Sequence, residues 1–264
     1  ADRVSFVLGA RRDRARSRVD ADEQVDYATT FRVGAIIDVG AGFSPYVSYA
    51  ESFLPLVGMD FYNQRFKPQE GSQYEVGVKW QPRLGTLVTL AAFDITESNR
   101  QTNDPNEVLN VVQTGEVESQ GVELEVSHEV VRDLHLTAAY SYTQAEVTKS
   151  NFAPEVGRQL SDVPKEQASL WGVKTLLLSD ALSLRLGAGV RYSGETLSIS
   201  GAGSLTTASY TLADALASLE STSWSFAVNA TNVFDKQYYA PCRAFGDCFT
   251  GNGRYAVGSL TYRF

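Results

Sequence analysis

The sequence predicts an all-β chain that folds as a transmembrane antiparallel β-barrel, and three observations carry that expectation. Apolar and polar residues alternate with a period of two over long segments. Short and long connections between those segments alternate along the chain. Aromatic residues gather at both ends of the apolar faces. A water-soluble sandwich also alternates, so the first observation alone places no face in lipid. Tight turns on one rim and long loops on the other are the layout of a membrane barrel, and a Greek-key sandwich has no reason to keep it.

The pattern gives about twelve strands in order. The first three are expected near 2–18, 26–38 and 42–53. In the fourth (72–81), Tyr74, Val76, Val78 and Trp80 oppose Glu75, Gly77 and Lys79. The fifth runs near 86–98, and in the sixth (114–128) Val122, Leu124 and Val126 oppose Glu123 and Glu125. The seventh (133–147) sets Leu134, Leu136, Ala138, Tyr140 and Tyr142 against His135, Thr137, Ala139, Ser141 and Thr143. An eighth is expected at 164–176. The ninth (181–195) sets Leu182, Leu184, Leu186, Ala188, Val190 and Tyr192 against Ser183, Arg185, Gly187, Gly189, Arg191 and Ser193. The last three are expected at 207–219, 222–234 and 254–264, with Ala256, Leu260, Tyr262 and Phe264 on one face of the final strand.

The connections near Gly40, Arg83, Val131, Ser179 and Ser221 are short, whereas "LPLVGMDFYNQRFKPQEG", "NRQTNDPNEVLNVV", "KSNFAPEVGRQLSDVP", "SISGAGSL" and a cysteine-bearing segment are long. Trp80, Trp224, Tyr262 and Phe264 fall at the short-turn ends of the apolar face, and Tyr49, Tyr142 and Tyr192 near the long-loop ends. Two such belts fit two membrane interfaces, where a ring is half wet and half buried. The opposite face, with Glu75, Lys79, Arg185 and Arg191, is too polar for a dry core and suits a wet or plugged lumen.

Composition removes several functions. The 264 residues carry a formal net charge of −8, so there is no basic surplus to replace phosphate counterions and no nucleic-acid partner is expected. Nothing approaches the roughly 18 consecutive apolar residues of a membrane helix, and the first residues lack the apolar core of a signal peptide. Phosphate-loop glycines, zinc spacing and a catalytic cysteine context are absent, so no enzyme is expected. The segment "NDPNE" (103–107) has oxygen ligands without the spacing of a calcium loop and reads as a turn-rich surface loop. Glycines 187, 189 and 258 sit inside strands, where they relieve crowding or admit another segment.

Six motifs in series carry a resemblance: "GFSPYVSYAESFLP", "FKPQEGSQYEVGVKWQP", "AAFDITESNRQTNDP", "VVQTGEVESQGVELEVSHEV", "GRQLSDVPKEQASLW" and "NATNVFDKQYY", with a terminal "YRF". Together they resemble the barrel of TonB-dependent siderophore receptors, most of all those for ferrichrome and other hydroxamates. That family's barrel has about 22 strands around a plug domain. The resemblance therefore implies that residues 1–264 form the C-terminal part of such a barrel, beginning inside a strand and without the plug and TonB-box segment. It implies an outer-membrane location, contact with lipid and lipopolysaccharide, capture of a ferric siderophore, and import powered by the TonB complex through the plug. No cofactor is expected on the protein, because the iron travels inside its siderophore. The final "LTYRF" resembles the assembly signal of outer-membrane barrels, with its glycine one position off the usual pattern.

The resemblance places the loop before the last strand outside the cell, where oxidising conditions permit a bridge between Cys242 and Cys248. By the same similarity Phe245 and Phe249 are candidates for ligand contact, with Tyr238 and Tyr239 behind them. Aromatic faces suit the bulky, weakly polar shell of an iron chelate; the plainer alternative is a staple whose rings pack on one another. Phe61 and Tyr62, with Phe66, offer a second cluster for which loop self-packing is the simpler account. Lumen carboxylates Glu123 and Glu125 would face the plug, and Arg185 and Arg191 would be balanced by wall carboxylates. The alternatives are a TonB-dependent receptor for cobalamin or haem, a twelve-stranded outer-membrane hydrolase using His128 or His135, or a passive porin.

Overall fold

The computed structural model describes residues 3–19, 22–60, 62–104, 110–200 and 203–264. Its strands are β1 (Val4–Val19), β2 (Asp22–Ile37), β3 (Phe43–Leu54), β4 (Gln69–Trp80), β5 (Thr86–Asn103), β6 (Val111–Val131), β7 (Leu134–Lys149) and β8 (Glu166–Ser179). They continue as β9 (Leu182–Ser193), β10 (Thr196–Ser200), β11 (Gly203–Thr207), β12 (Tyr210–Ser221), β13 (Trp224–Thr231), β14 (Tyr239–Cys242), β15 (Cys248–Thr250) and β16 (Tyr255–Tyr262). Twelve of these make one antiparallel sheet in the order β1-β2-β3-β4-β5-β6-β7-β8-β9-β12-β13-β16. The other four form two separate hairpins, β10-β11 and β14-β15.

The twelve-strand reading therefore holds for the wall, and the four short strands are additions that the sequence pattern did not disclose. They lie inside two of the long loops and are too short to show a period. Other boundaries moved as well. Strands β5 and β6 run further toward the long-loop rim than expected, past a bulge between Glu97 and Arg100 where Asn99 takes φ 58°. Strand β13 stops at Thr231 because Asn232 turns the chain with φ 52°.

Register settles the two faces. One row runs Val47, Val76, Ala92, Val122, Tyr142, Glu166 across β3 to β8. With Leu170 and Val190 it belongs to an outer surface whose large apolar side chains stand exposed. Such a surface is unfavourable in water and favourable in lipid. At the short-turn end Phe43 stacks on Trp80 with ring centroids 5.4 Å apart, and near the long-loop end Tyr49 meets Tyr74 at 4.8 Å. An inner row runs Lys79, Thr89, Glu125, Ala139, Ser169, Arg191, Leu212.

The inner face is held by two devices. Arg185 pairs with Glu220 at 3.0 Å and Arg191 with Asp214 at 2.8 Å, so both arginines are balanced from the neighbouring strand. Rings are also laid on glycines of the strand opposite: Tyr46 faces Gly77, Phe93 faces Gly121 and Trp171 faces Gly189. A Cβ on any of these glycines would stand 2.2–2.6 Å from the ring, so only a hydrogen leaves room for it. That is the close approach the in-strand glycines foreshadowed.

Candidate functional site

Three long loops meet at one end of the sheet. Loop 150–165 follows β7, the β10-β11 hairpin follows β9, and loop 232–254 with the β14-β15 hairpin follows β13. Buried hydroxyls join them. Thr207 Oγ1 accepts the Cys242 N–H at 2.7 Å, and Ser198 Oγ accepts the Ala244 N–H at 3.2 Å. Ser161 Oγ accepts the Ile199 N–H at 3.3 Å, and the Asp162 N–H donates to the Leu197 carbonyl at 3.0 Å. Loop 150–165 has its own small core, Val117, Ala145 and Val147 covered by Leu160 and Val163. These hydrogen bonds, one of them buried, tie the three loops into one lip.

The stem of loop 232–254 is tied to the wall through Asn232, which is 1% exposed. Its Nδ2 donates to the carbonyls of Lys236 (2.9 Å) and Asn252 (3.1 Å), while its Oδ1 accepts the Lys236 N–H at 2.8 Å. Its own N–H donates to Asp214 Oδ1 at 2.8 Å, and Asp214 is the partner of Arg191. One polar path thus leads from the lumen ion pair to both ends of the loop.

Cys242 and Cys248 are bridged, closing the β14-β15 hairpin. The turn inside carries Arg243, whose guanidinium lies 5.0 Å from the centroid of the Phe249 ring and whose Nε donates to Asp247 Oδ2 at 2.9 Å. Arg243 holds the Asp247 carboxyl below the usual carboxylate range through that hydrogen bond. Phe245 is 75% exposed, and Phe249, beside the Arg243 guanidinium, is 50% exposed. Tyr239 is exposed as well. Tyr238 instead packs 4.3 Å from Tyr210 on the inner side of the wall and lies flat on Gly251, where a Cβ would meet its ring at 2.1 Å.

The expected residues divide accordingly. Tyr238, Tyr239, Phe245 and Phe249 share one loop with the bridge. Tyr62 is half exposed on loop 55–68, beside β3 and β4 and far along the sheet order from that bridge. Phe61 lies outside the described residues, as does most of "NDPNE". Phe66, in contrast, is buried, and its carbonyl accepts a hydrogen bond from Gln24 Nε2 at 2.9 Å, anchoring that loop to β2. The sequence reading passed over Thr207, Ser198, Asn232 and Tyr210. Only Asn232 had a visible signal, as an asparagine suited to a turn in "NATNVFD".

The two histidines named for the hydrolase alternative lie on different faces of the wall. His128 pairs in register with Leu136 on the outer face, whereas His135 lies on the inner face. The His128 ring is engaged by Thr86 Oγ1 at 2.9 Å and Arg83 at 3.4 Å. Among the described residues no group of three or more His, Cys, Asp or Glu side chains is placed to hold a metal ion.

A family profile described as "TonB dependent receptor-like, beta-barrel" matches residues 1–233. The chain is 35% identical over 277 residues to the ferrichrome outer membrane transporter/phage receptor of Escherichia coli K12, covering 100% of this chain and 36% of that protein. It is 33% identical over 282 residues to the ferrioxamine B receptor of Salmonella typhimurium LT2, covering 100% of this chain and 39% of that one. Among solved structures, FpvA of Pseudomonas aeruginosa bound to a pyoverdine–iron complex superposes with TM-score 0.79 at 25% identity, over 99% of this chain and 36% of that one. The ferric-catecholate import receptor Fiu of Escherichia coli K12 superposes with TM-score 0.76 at 20% identity, over 99% and 43%. The chain thus spans well under half the length of the relatives it matches.

Proposed function

The chain belongs to the TonB-dependent receptor family, as part of its β-barrel, and from that premise we propose that it helps a receptor capture a ferric siderophore of hydroxamate type. In this reading residues 1–264 are the C-terminal part of the wall with its last extracellular loops. The barrel lies in the bacterial outer membrane, and import to the periplasm draws its energy from TonB through a plug domain.

The observation that carries the cargo is the aromatic lip. Phe245 and Phe249 stand exposed on a bridged hairpin beside Arg243, with Tyr238 and Tyr210 paired below them. A siderophore occupies the iron's coordination sites with its own oxygens. What the protein must recognise is a bulky shell with few charges, which aromatic faces and one guanidinium fit. The iron is cargo, and no protein-bound cofactor is needed. Relatives named for ferrichrome and ferrioxamine, both matched over the whole of this chain, support the hydroxamate class.

The wall supports the remaining parts. Glu123 and Glu125 project from the inner face, and among the described residues no cation pairs with them. Cationic side chains of a plug would neutralise them, since unpaired carboxylates in a filled lumen are expensive. On the outer face of β1, exposed Arg12, Arg14 and Arg16 continue the strand above exposed Phe6 and Leu8. Arg12 and Arg14 flank the Tyr27 ring at 5.9 and 6.0 Å. Arg16 is paired with Glu23 at 2.5 Å, and Arg12 and Arg14 above an apolar stripe suit the phosphates of the outer leaflet, which supports lipid and lipopolysaccharide as partners. Catalysis forms no part of this reading, since the relatives are named as transporters and receptors.

The test is uptake of radiolabelled iron by iron-starved cells carrying the protein, with and without TonB, from ferrichrome-type, ferrioxamine-type and catecholate carriers. TonB-dependent uptake from one hydroxamate carrier is expected. Uptake from none of the three overturns the siderophore reading and turns attention to cobalamin or haem.

A further inference from the structure

Loop 232–254 is held at two levels. Near its tip, Thr207 and Ser198 of the β10-β11 hairpin take the N–H groups of Cys242 and Ala244. At its root it is held by the wall itself. The Val233 N–H donates to the Ala213 carbonyl at 2.8 Å, one residue from Asp214, whose Oδ1 accepts the Asn232 N–H. The root then closes on itself: Asp235 Oδ1 accepts the Arg254 N–H at 2.7 Å, and the Gly251 N–H donates to the Tyr238 carbonyl at 2.8 Å. With the Asn232 side chain bonded to Lys236 and Asn252, both limbs of the loop leave the wall as one unit.

They leave it on the lumen side. Asp214 lies on the inner face of β12, opposite Gly189. Tyr210, on the same face, is covered by the Tyr238 ring, and Leu212 between them is 2% exposed on a face that elsewhere lines the lumen. The Asp214 carboxylate is itself oriented, because its other oxygen, Oδ2, accepts Arg191 Nε at 2.8 Å. One oxygen is thus fixed by the wall while the other holds the loop. An acceptor already locked in an ion pair needs no further ordering when the loop docks on it.

We propose that Asp214 is a positioning residue for cargo capture: acting through Asn232, it holds loop 232–254 folded into the mouth of the barrel, so that Phe245 and Phe249 are in place before the carrier arrives. A loop ordered in advance spends less of its contact energy on becoming ordered, so the benefit appears as affinity. The ties at the tip join one loop to another and do not by themselves fix the lip to the wall; the Asp214 tie does. Asn232 suits the next link because its amide both accepts from Lys236 and donates to two carbonyls, which no carboxylate could do. The inference rests on the reading of this loop as part of a siderophore site.

The test uses the full receptor purified from outer membranes, as the parent and as D214A, D214N and N232A. Hydrogen exchange read by mass spectrometry, with no carrier present, is expected to quicken across 232–254 in D214A and N232A, while β9 and β12 keep the parent's protection. Equilibrium binding of iron-loaded ferrichrome and ferrioxamine B should weaken roughly fivefold for whichever the parent binds, the size of one lost hydrogen bond. D214N keeps an oxygen for the Asn232 N–H and should recover part of both losses, which a merely destabilised wall would not show. Parent-like exchange in the loop of D214A overturns the proposal, and so does a loosened loop with unchanged affinity. D214N as impaired as D214A also overturns it, since the charge toward Arg191 and not the tie to Asn232 would then matter. If D214A does not assemble, N232A is read by the same criteria. A parent that binds neither carrier removes the siderophore reading and the capture role with it; the exchange measurement, made without carrier, tells that failure from a failure of the tie.

Discussion

Replacing Gly189 with alanine would set a methyl carbon 2.2 Å from Trp171 Cε3 and 2.6 Å from the Leu170 carbonyl oxygen. Carbon atoms pack best at about 3.5–4 Å, so the indole must retreat by more than about 1 Å and the β8-β9 pair must also spread. Gly34, on β2, is the control: a Cβ there meets the Val47 carbonyl oxygen at 3.5 Å and Ser48 Cβ at 3.6 Å, ordinary contacts. Neither glycine has a positive φ, so backbone strain does not separate them. Overpacking at Gly189 should cost about 1–3 kcal/mol. Alanine at Gly34 should be neutral or stabilise by about 0.4–1 kcal/mol through the unfolded chain. The assay is the temperature at which the barrel loses its folded mobility on a detergent gel, read with tryptophan emission. Trp80 and Trp224 face outward and report on lipid, so a red shift in G189A should come from Trp171 lifted into the lumen. G189A/W171A should recover part of the loss, because the carbonyl contact remains. Equal transition temperatures for G189A and G34A would refute the ring-on-glycine account of the inner wall.

Three further outcomes are expected. Phe245→Ala and Phe249→Ala should each weaken siderophore binding by about 1–2 kcal/mol, measured on whole cells, while leaving outer-membrane levels unchanged. C242S/C248S closes no loop and should lower thermal stability by no more than about 2 kcal/mol, because the bridged residues are only six positions apart; its larger effect should be on affinity, through loss of the Phe245 and Phe249 geometry. Deleting Phe264 should reduce the amount of assembled barrel in the membrane more than the affinity of what does assemble. Normal barrel levels with weakened binding would contradict that.

The wall was legible in the sequence because strand alternation is a local property. Leu186, Ala188 and Val190 declare their face against Arg185, Gly187 and Gly189 without reference to any other strand, and register then placed those faces as expected. The two aromatic belts follow from the same parity, as does the inner position of Glu123 and Glu125. The candidate loop was legible for another reason: two cysteines six positions apart among aromatics stand out in a chain with no others. What the loop touches was not legible. Thr207 and Cys242 are 35 positions apart, and Ser198 and Ala244 are 46, so their hydrogen bonds exist only because β9, β12 and β13 are neighbours that carry their loops to one rim. Nothing in "SISGAGSL" announces a hairpin whose hydroxyls will hold another loop. Ring-on-glycine pairs were hidden in the same way, since Trp171 and Gly189 become partners only once the register between β8 and β9 is set. Sequence by itself determined which side chains of a strand share a face, because a two-residue period needs no partner. Only the tertiary structure decided which loops share a lip and which rings lie on glycines, because those depend on contacts between segments that the chain brings together from a distance.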